Sequence, residues 1–273
     1  MKKKYRITGK CKILIAQLLI SSIGIGIGCN WGLNAENKKV VMLAQKPVIT
    51  GVNNMEQSKK VVSVQDNLGN ICISSFSTNL GSSSPTRINN IVTCVKAING
   101  KILMPGEVFS FNETVGERTK ERGYMNAPAI INKKIQSELG GGICQVSTTL
   151  YNAVLLTGIK NIDRTHHSLP SSYVGLGLDA TVDWNNIDLK FSNTLNYPIC
   201  IAGSVQDKNL CIKIFSNSSL NKKYVIQNNI SEQGDMYTAD VIRKTYENGK
   251  VTNIEHISSD VYVSSNSGTN DKY

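Results

Sequence analysis

The chain has 273 residues, 40% of them hydrophobic, and a formal net charge of +10 at pH 7. This length allows one large domain or two small ones with a real core, and the apolar fraction is typical of a globular protein. The basic residues are scattered and form no helix interleaved with aromatic residues, so we expect no nucleic-acid partner. A basic exterior favours an anionic cell wall or membrane surface instead.

The first 35 residues have the composition of an export signal. A basic segment at residues 2–6 precedes an uncharged, mostly apolar segment at residues 13–27, which is shorter than a comfortable transmembrane helix. We therefore predict a signal peptide or membrane anchor over residues 1–35, through which the exported chain contacts the membrane. Cleavage after Ala35, an uncleaved anchor and a lipoprotein-like site at Cys29 are all compatible with the sequence.

The rest of the chain predicts an α+β fold with mixed strands and two main helices. Residues 36–70 are polar and are predicted to form a linker before a domain at residues 71–216. One helix is predicted from the apolar spacing of residues 88–98, and a second begins after Cys144 and ends near Gly158. Strands surround them without regular βαβ alternation.

Short strands are predicted throughout the second half of the chain. They include residues 173–174, 180–184, 188–191, 198–201 and 210–215. The dipeptide Asn248-Gly249 is a strong hairpin signal, so residues 217–263 are predicted to form a peripheral C-terminal β hairpin. Residues 264–273 are rich in Ser, Asn and Gly and are predicted to be a disordered tail.

A glycine run followed by a cysteine is the most informative segment. Gly140, Gly141 and Gly142 precede Cys144, where a helical apolar pattern begins. Glycines allow a ligand or another segment to approach closely, and we assign this run to substrate binding. A helix N-terminus carries partial positive charge and favours a thiolate. We predict that Cys144 is a free, partly accessible nucleophile; the alternative is a buried residue at a tight helix start.

Candidates for a base and its orienting group follow. His166 and His167 are adjacent and would point to opposite sides of an extended segment, so at most one faces Cys144. Asp179 precedes a predicted strand and would orient an imidazole, or alternatively cap a turn. The Gln145 side chain or the backbone N–H groups at 144 and 145 would hold an oxyanion. Cys, His and Asp together form a thiol nucleophile with its base and orienter.

Other polar residues are candidates for substrate binding. Ser147 and Thr148 lie in an otherwise apolar helix, where they either support a substrate or bond back to the preceding turn. Arginines would bind wall carboxylates in a non-catalytic groove, with ordinary ion pairing as the alternative; the candidates are Arg87, Arg118 and Arg164.

A zinc site is a further alternative. Cys144, one histidine and Asp179 would leave a fourth position open on Zn²⁺, but their spacing is not that of a regular ligand set. We therefore predict no bound metal and no cofactor.

Several motifs between about residues 74 and 215 resemble the VanW family, named after a protein of a vancomycin-resistance cluster. They include Gly-Gly-Gly-Ile-Cys-Gln at residues 140–145 and Arg-Thr-His-His-Ser at residues 164–168. The resemblance implies an exported, envelope-associated protein of Gram-positive bacteria, often beside peptidoglycan-binding modules, with no settled activity. The order of the cysteine, histidine and aspartate is also similar to that in transglutaminase-like and papain-like thiol enzymes.

These observations predict an extracytoplasmic cell-envelope protein whose partner is peptidoglycan or its precursors. The candidate activity is Cys-dependent acyl transfer on peptidoglycan stem peptides, linked to glycopeptide resistance or wall maintenance. The alternatives are a non-catalytic peptidoglycan-binding or scaffold protein and a metal-dependent hydrolase.

Overall fold

The structure is a computed structural model that describes residues 71–131, 134–160 and 162–263. The predicted export segment, linker and tail (residues 1–35, 36–70 and 264–273) lie outside these ranges. The described residues belong to one compact unit of the chain. Within these ranges, no helix combines the length and apolar character needed to cross a membrane.

Helices and strands follow one another along the chain with short connections. In chain order they are β1 (Ile71–Asn79), α1 (Pro85–Ile98), β2 (Ile102–Leu103), β3 (Val108–Ser110), α2 (Phe111–Val115), β4 (Asn126–Ile131), β5 (Lys134–Leu139), α3 (Ile143–Leu155), β6 (Ile162–Asp163), β7 (Lys190–Ser192), β8 (Ile199–Gln206), β9 (Asn209–Ser216), β10 (Lys223–Gln233), β11 (Met236–Glu247) and β12 (Lys250–Val263).

The strands of the described residues form four antiparallel sheets. Their orders are β1-β9-β8-β2, β3-β7-β6, β4-β5 and β10-β11-β12. Helices α1 and α3 pack on the first of these sheets and on each other. The architecture is thus mostly antiparallel strand with few helices, which is compatible with the predicted mixed α+β class.

Helix α1 forms where local signals predict it. Ser84 caps its N-terminus by accepting a hydrogen bond from the Arg87 N–H at 3.2 Å, and Pro85 occupies the first turn. The helix ends at Asn99, before Gly100, whose φ of +81° is left-handed. Its buried face carries the predicted apolar spacing and consists of Asn90, Ile91, Cys94, Val95 and Ile98.

Helix α3 is the central element of the core. Every one of its residues is buried except Cys144, which is half-buried. Polar side chains on a helix enclosed in this way must find hydrogen-bond partners, because an unpaired buried donor or acceptor costs about 1–3 kcal/mol. The polar residues of α3 therefore bind specific neighbouring segments.

The glycine run is explained by packing at the start of α3. Gly140 and Gly142 have φ values of +83° and +108°, which favour glycine. Gly141 lies against β4, where an added Cβ would be 2.3 Å from the Ala127 carbonyl oxygen. The left-handed backbone thus accounts for Gly140 and Gly142, and the close approach of the β4–β5 hairpin accounts for Gly141. The predicted role of the run in substrate binding stays a prediction.

The C-terminal segment differs from the predicted peripheral hairpin. The turn at Asn248 is present, with φ of +50°, but β10 adds a third strand. The sheet also packs into the core, where Ala239, Val241 and Tyr262 are completely buried. The prediction was wrong because this sheet buries one face and keeps polar residues on the other. The polar average composition of the segment therefore suggested a peripheral position.

Two predicted strands are not regular strands. Residues 173–174 lie in a turn, and residues 180–184 make only isolated bridges, Thr165 with Thr181 and Asp183 with Ile187. This segment lies across α3 and is held by side chains of that helix. Its irregular backbone carries Asp179.

We expect Gly141→Ala to destabilise the protein by about 1–3 kcal/mol, because the new methyl group would overlap a backbone carbonyl. Gly175→Ala is the matched control, since its Cβ would first meet the end of the Asn228 side chain at 3.1 Å. Thermal unfolding of both variants measures the difference. Equal midpoint changes would contradict the packing explanation.

Candidate active site

Cys144 occupies the first turn of α3 and is a free thiol. Its Sγ donates a 3.4 Å hydrogen bond to the Val182 carbonyl. The helix N-terminus adds partial positive charge beside the sulfur. Since the remaining residues of α3 are fully buried, the helix presents this cysteine at its one accessible position.

His167 links Cys144 to Asp179. Its Nδ1 lies 2.5 Å from Asp179 Oδ2, and its backbone N–H donates to the same oxygen at 2.6 Å. The Nδ1 atom is therefore engaged, and Nε2 is the ring nitrogen left to interact with the Cys144 thiol, which lies close enough to raise the pKa of the imidazole. Adjacency alone left the choice of histidine open, and the structure places His167 at the cysteine.

Asp179 is almost completely buried, with 1% of its surface exposed. Oδ2 accepts the two hydrogen bonds from His167, and Oδ1 accepts a short one from the Tyr262 hydroxyl. The Arg164 guanidinium lies 3.7 Å from Oδ1. The carboxylate is thus fixed in place by donors and by positive charge, as an orienting group requires.

These contacts shift the protonation of all three groups. Burial alone would raise the pKa of Cys144, but the hydrogen bond and charge of His167 hold it below its ordinary value. Burial opposes charge on His167, yet Asp179 and Cys144 raise its pKa to about 10. Burial likewise disfavours charge on Asp179, but hydrogen bonds from His167 and Tyr262 hold its pKa below the usual range. At pH values between the lowered pKa of Cys144 and the raised pKa of His167, the two groups form a thiolate–imidazolium pair beside an ionised aspartate.

Polar residues of α3 hold the segment that carries Asp179. Ser147 Oγ donates to the Ala180 carbonyl at 2.6 Å, and Thr148 Oγ1 accepts from the Ala180 N–H at 2.9 Å. Asn152 Nδ2 donates to the Leu178 carbonyl at 2.6 Å. Ser147 and Thr148 are fully buried, and their hydrogen bonds position Asp179. Their predicted role in substrate binding stays a prediction.

His166 and Arg164 also have roles other than those predicted. His166 Nδ1 contacts the His167 carbonyl at 2.7 Å, and its ring packs edge-on against Tyr262. Arg164 donates to Asp260 at 2.8 Å and to the Asp179 carbonyl at 2.7 Å. Its side chain is almost completely buried, and each of its three nitrogens donates a hydrogen bond, so the predicted alternative, a buried ion pair, is present.

The Gln145 side chain does not provide the predicted oxyanion donor. Its amide nitrogen donates to Thr78 Oγ1 at 3.0 Å and to the Asn79 carbonyl at 2.9 Å, while its oxygen accepts from Arg87. Its backbone N–H is also engaged, at 3.0 Å from the Gly142 carbonyl. The Cys144 N–H has no backbone acceptor within the described residues, which leaves it available for an oxyanion.

Arg118 lies near the cysteine. Its Nη2 donates to Asn112 Oδ1 at 2.7 Å, and the guanidinium carbon lies 5.6 Å from the centre of the Trp184 ring. Its charge contributes to the lowered pKa of Cys144. Its Nη1 is buried and makes no hydrogen bond to a described residue. The arginine therefore supports the thiolate electrostatically, whereas its predicted contact with substrate stays a prediction.

A zinc site is not supported by this arrangement. Within the described ranges, no group of three or more His, Cys, Asp or Glu residues is placed to hold a metal ion. Both carboxylate oxygens of Asp179 are hydrogen-bonded, to His167 Nδ1 and to the Tyr262 hydroxyl. Asp179 is therefore not available as a third zinc ligand beside Cys144 and His167 Nε2. The same groups that would form a catalytic triad are thereby unsuited to tetrahedral zinc.

Sequence reasoning missed the contribution of the C-terminal sheet. Tyr262 and Asp260 of β12 bind Asp179 and Arg164, respectively. Neither residue belongs to a local motif, since a tyrosine and an aspartate in an alternating strand are common. Only the long-range packing of the sheet brings them to the site.

Comparisons with known proteins match about half of this chain. A family model described as VanW like protein matches residues 86–215. Over this segment, slightly less than half of its length, the chain is similar to the VanW family. The uncharacterized protein YoaR of Bacillus subtilis is 39% identical over 148 residues, which cover 54% of this chain and 49% of YoaR. The vancomycin B-type resistance protein VanW of Enterococcus faecalis is 29% identical over 160 residues, which cover 55% of this chain and 58% of that protein.

The predicted resemblance to the VanW family is thus confirmed. The chain spans about half the length of the curated relatives that it matches. Cys144, His167 and Asp179 lie inside the family-matched residues, whereas β10, β11 and β12 lie beyond them. No solved structure matches the chain.

We expect Cys144 to react with iodoacetamide at lower pH than Cys72 or Cys200. Partial removal from water raises the pKa of the exposed Cys72 and of the half-buried Cys200, and the thiolate is the reactive form. His167→Ala should move the midpoint of the Cys144 pH profile upward, since the main influence that opposes burial of the thiolate would be lost. His256→Ala is the control, as His256 is exposed on β12. Peptide mass spectrometry reads each site. An unchanged midpoint in His167→Ala would contradict the ion pair.

Proposed function

We propose that this VanW-like protein is a cell-envelope enzyme that performs thiol-dependent acyl transfer on peptidoglycan stem peptides. The observation that carries the proposal is the connected set of Cys144, His167 and Asp179 at the start of a buried helix. A nucleophile, its proton carrier and an orienting carboxylate in this arrangement are the parts of a cysteine acyl-transfer site.

The proposed reaction begins from the thiolate–imidazolium pair. The Cys144 thiolate attacks the carbonyl carbon of a peptide amide, and the carbonyl oxygen becomes a transient oxyanion. The imidazolium of His167 gives its proton to the leaving nitrogen, so that the C–N bond breaks and an amine departs. A thioester on Cys144 and a neutral imidazole remain.

The second half returns the enzyme to its starting state. Water or an acceptor amine attacks the thioester carbonyl, and His167 takes a proton from this attacking group. Breakdown of that intermediate releases a carboxylic acid or a new amide and restores the thiolate–imidazolium pair. The Cys144 N–H at the helix N-terminus would donate to the oxyanion in both halves.

The cell-envelope setting has three kinds of support. One relative is named a vancomycin B-type resistance protein. The first 35 residues have the composition of an export signal, which suits a secreted or membrane-anchored protein. The net charge of +10 favours contact with an anionic wall or membrane surface. Stem peptides provide the amide bonds on which this site would act.

Cys144→Ser should lower product formation from purified muropeptides by at least about a thousandfold, as expected when a nucleophile is removed from a catalytic unit. Cys72→Ser is the control, because Cys72 is a free, exposed thiol far along the chain from the site. Liquid chromatography with mass spectrometry distinguishes hydrolysis from transfer to an added amine.

The same proteins should be tested for binding to purified sacculi. Equal activity of Cys144→Ser and wild type would overturn the nucleophile assignment. Binding by both proteins without product from either would instead favour the non-catalytic wall-binding protein.

A further inference from the structure

The C-terminal sheet provides a buried tyrosine to the site. Tyr262 lies in β12, beyond residue 215 where the family match ends, and is completely buried. Its hydroxyl donates to Asp179 Oδ1 and accepts from the Gly177 N–H at 2.9 Å. Both hydrogen-bonding capacities of the hydroxyl are therefore directed to the segment that carries the aspartate.

A second contact from the same strand reaches the same segment. Asp260 pairs with Arg164 at 2.8 Å. Arg164 in turn donates to the carbonyls of Gly177 and Asp179, at 2.9 and 2.7 Å. The backbone on both sides of the carboxylate is thus anchored by β12 through an ion pair.

A backbone hydrogen bond completes this attachment. The Val263 N–H donates to the Ser168 carbonyl at 3.1 Å, immediately after His167. The end of β12 consequently contacts both segments of the His167–Asp179 pair. Rotation of the Asp179 side chain would have to break its contact with Tyr262 of this strand.

We propose that β12 completes the catalytic site and that Tyr262 is a positioning residue, acting through Asp179 on His167. This inference rests on the proposed acyl-transfer function. Asp179 Oδ2 is bound by His167, and Tyr262 restrains Oδ1, so the carboxylate plane is fixed from both ends. Nε2 of His167 is thereby kept at the Cys144 thiol. The family-matched segment alone does not contain the whole site.

Removal of the Tyr262 hydroxyl group alone distinguishes a positioning role of this residue from a role in folding. Tyr262→Phe keeps the ring and its edge-on packing with His166, whose ring centre is 5.0 Å away. Tyr237→Phe is the matched control, because Tyr237 lies directly opposite Tyr262 on β11. Circular dichroism and thermal unfolding establish that both variants are folded.

We expect Tyr262→Phe to lower kcat on muropeptides about tenfold or more, the effect of losing a hydrogen bond to a buried charge. KM should stay within about twofold, since the buried hydroxyl does not reach substrate. The midpoint of Cys144 alkylation should also move to higher pH, because a less restrained imidazole pairs less completely with the thiolate. Tyr237→Phe should match wild type in all three measurements.

Two measurements, product formation from muropeptides and the pH midpoint of Cys144 alkylation, separate this inference from the proposed function. Active wild type, inactive Cys144→Ser and an unchanged Tyr262→Phe would overturn the role of Tyr262 alone. A fully active Cys144→Ser would overturn the proposed function, and the alkylation midpoint would still decide whether Tyr262 acts on the cysteine–histidine pair. A midpoint equal to that of wild type would overturn the positioning role.

Discussion

The buried charge of Asp179 constrains the structure around it. An ionised carboxylate removed from water is strongly destabilising unless donors and positive charge surround it. Here the partners come from distant parts of the chain, with His167 and Arg164 from one segment and Tyr262 from the last strand. These partners can converge only when the C-terminal sheet is packed against the core, so the order of the site and the packing of that sheet depend on one another.

Helix α3 is the second requirement for this arrangement. Because it is enclosed by the core, its polar residues bind the irregular segment over it, and Ser147, Thr148 and Asn152 fix the backbone on either side of Asp179. Its first turn carries Cys144 at the accessible end. One rigid element therefore sets both the position of the nucleophile and the position of the orienting carboxylate, which is the condition for a pre-organised site.

Local signals in the sequence were sufficient to predict part of the fold and part of the candidate site. The cap at Ser84 and the apolar spacing of α1 predict that helix, and the dipole at the start of α3 singles out Cys144. Adjacent histidines could not be separated, because their orientation depends on the backbone of an irregular segment.

Three residues predicted to contact substrate bind other parts of the protein in the structure. Gln145, Ser147 and Thr148 are polar and lie near the cysteine in sequence, which suggested contact with substrate. In the fold their donors and acceptors are used by buried backbone and side-chain partners. Tyr262 was missed for the converse reason, since it lies far away in sequence and reaches Asp179 only through long-range packing. Hydrogen-bond partners of buried polar groups are a tertiary property that local patterns do not contain.

The central claim is that Cys144 and His167 form an ion pair in the folded protein, and ¹⁵N NMR of the imidazole nitrogens tests it most directly. The chain has three histidines, so His167 can be assigned by substitution of the other two. With its pKa raised to about 10, His167 should carry protons on both ring nitrogens at pH 7.5 and lose one only as the pH approaches 10. A neutral His167 ring at pH 7.5, titrating near the ordinary value of 6.5, would contradict the account.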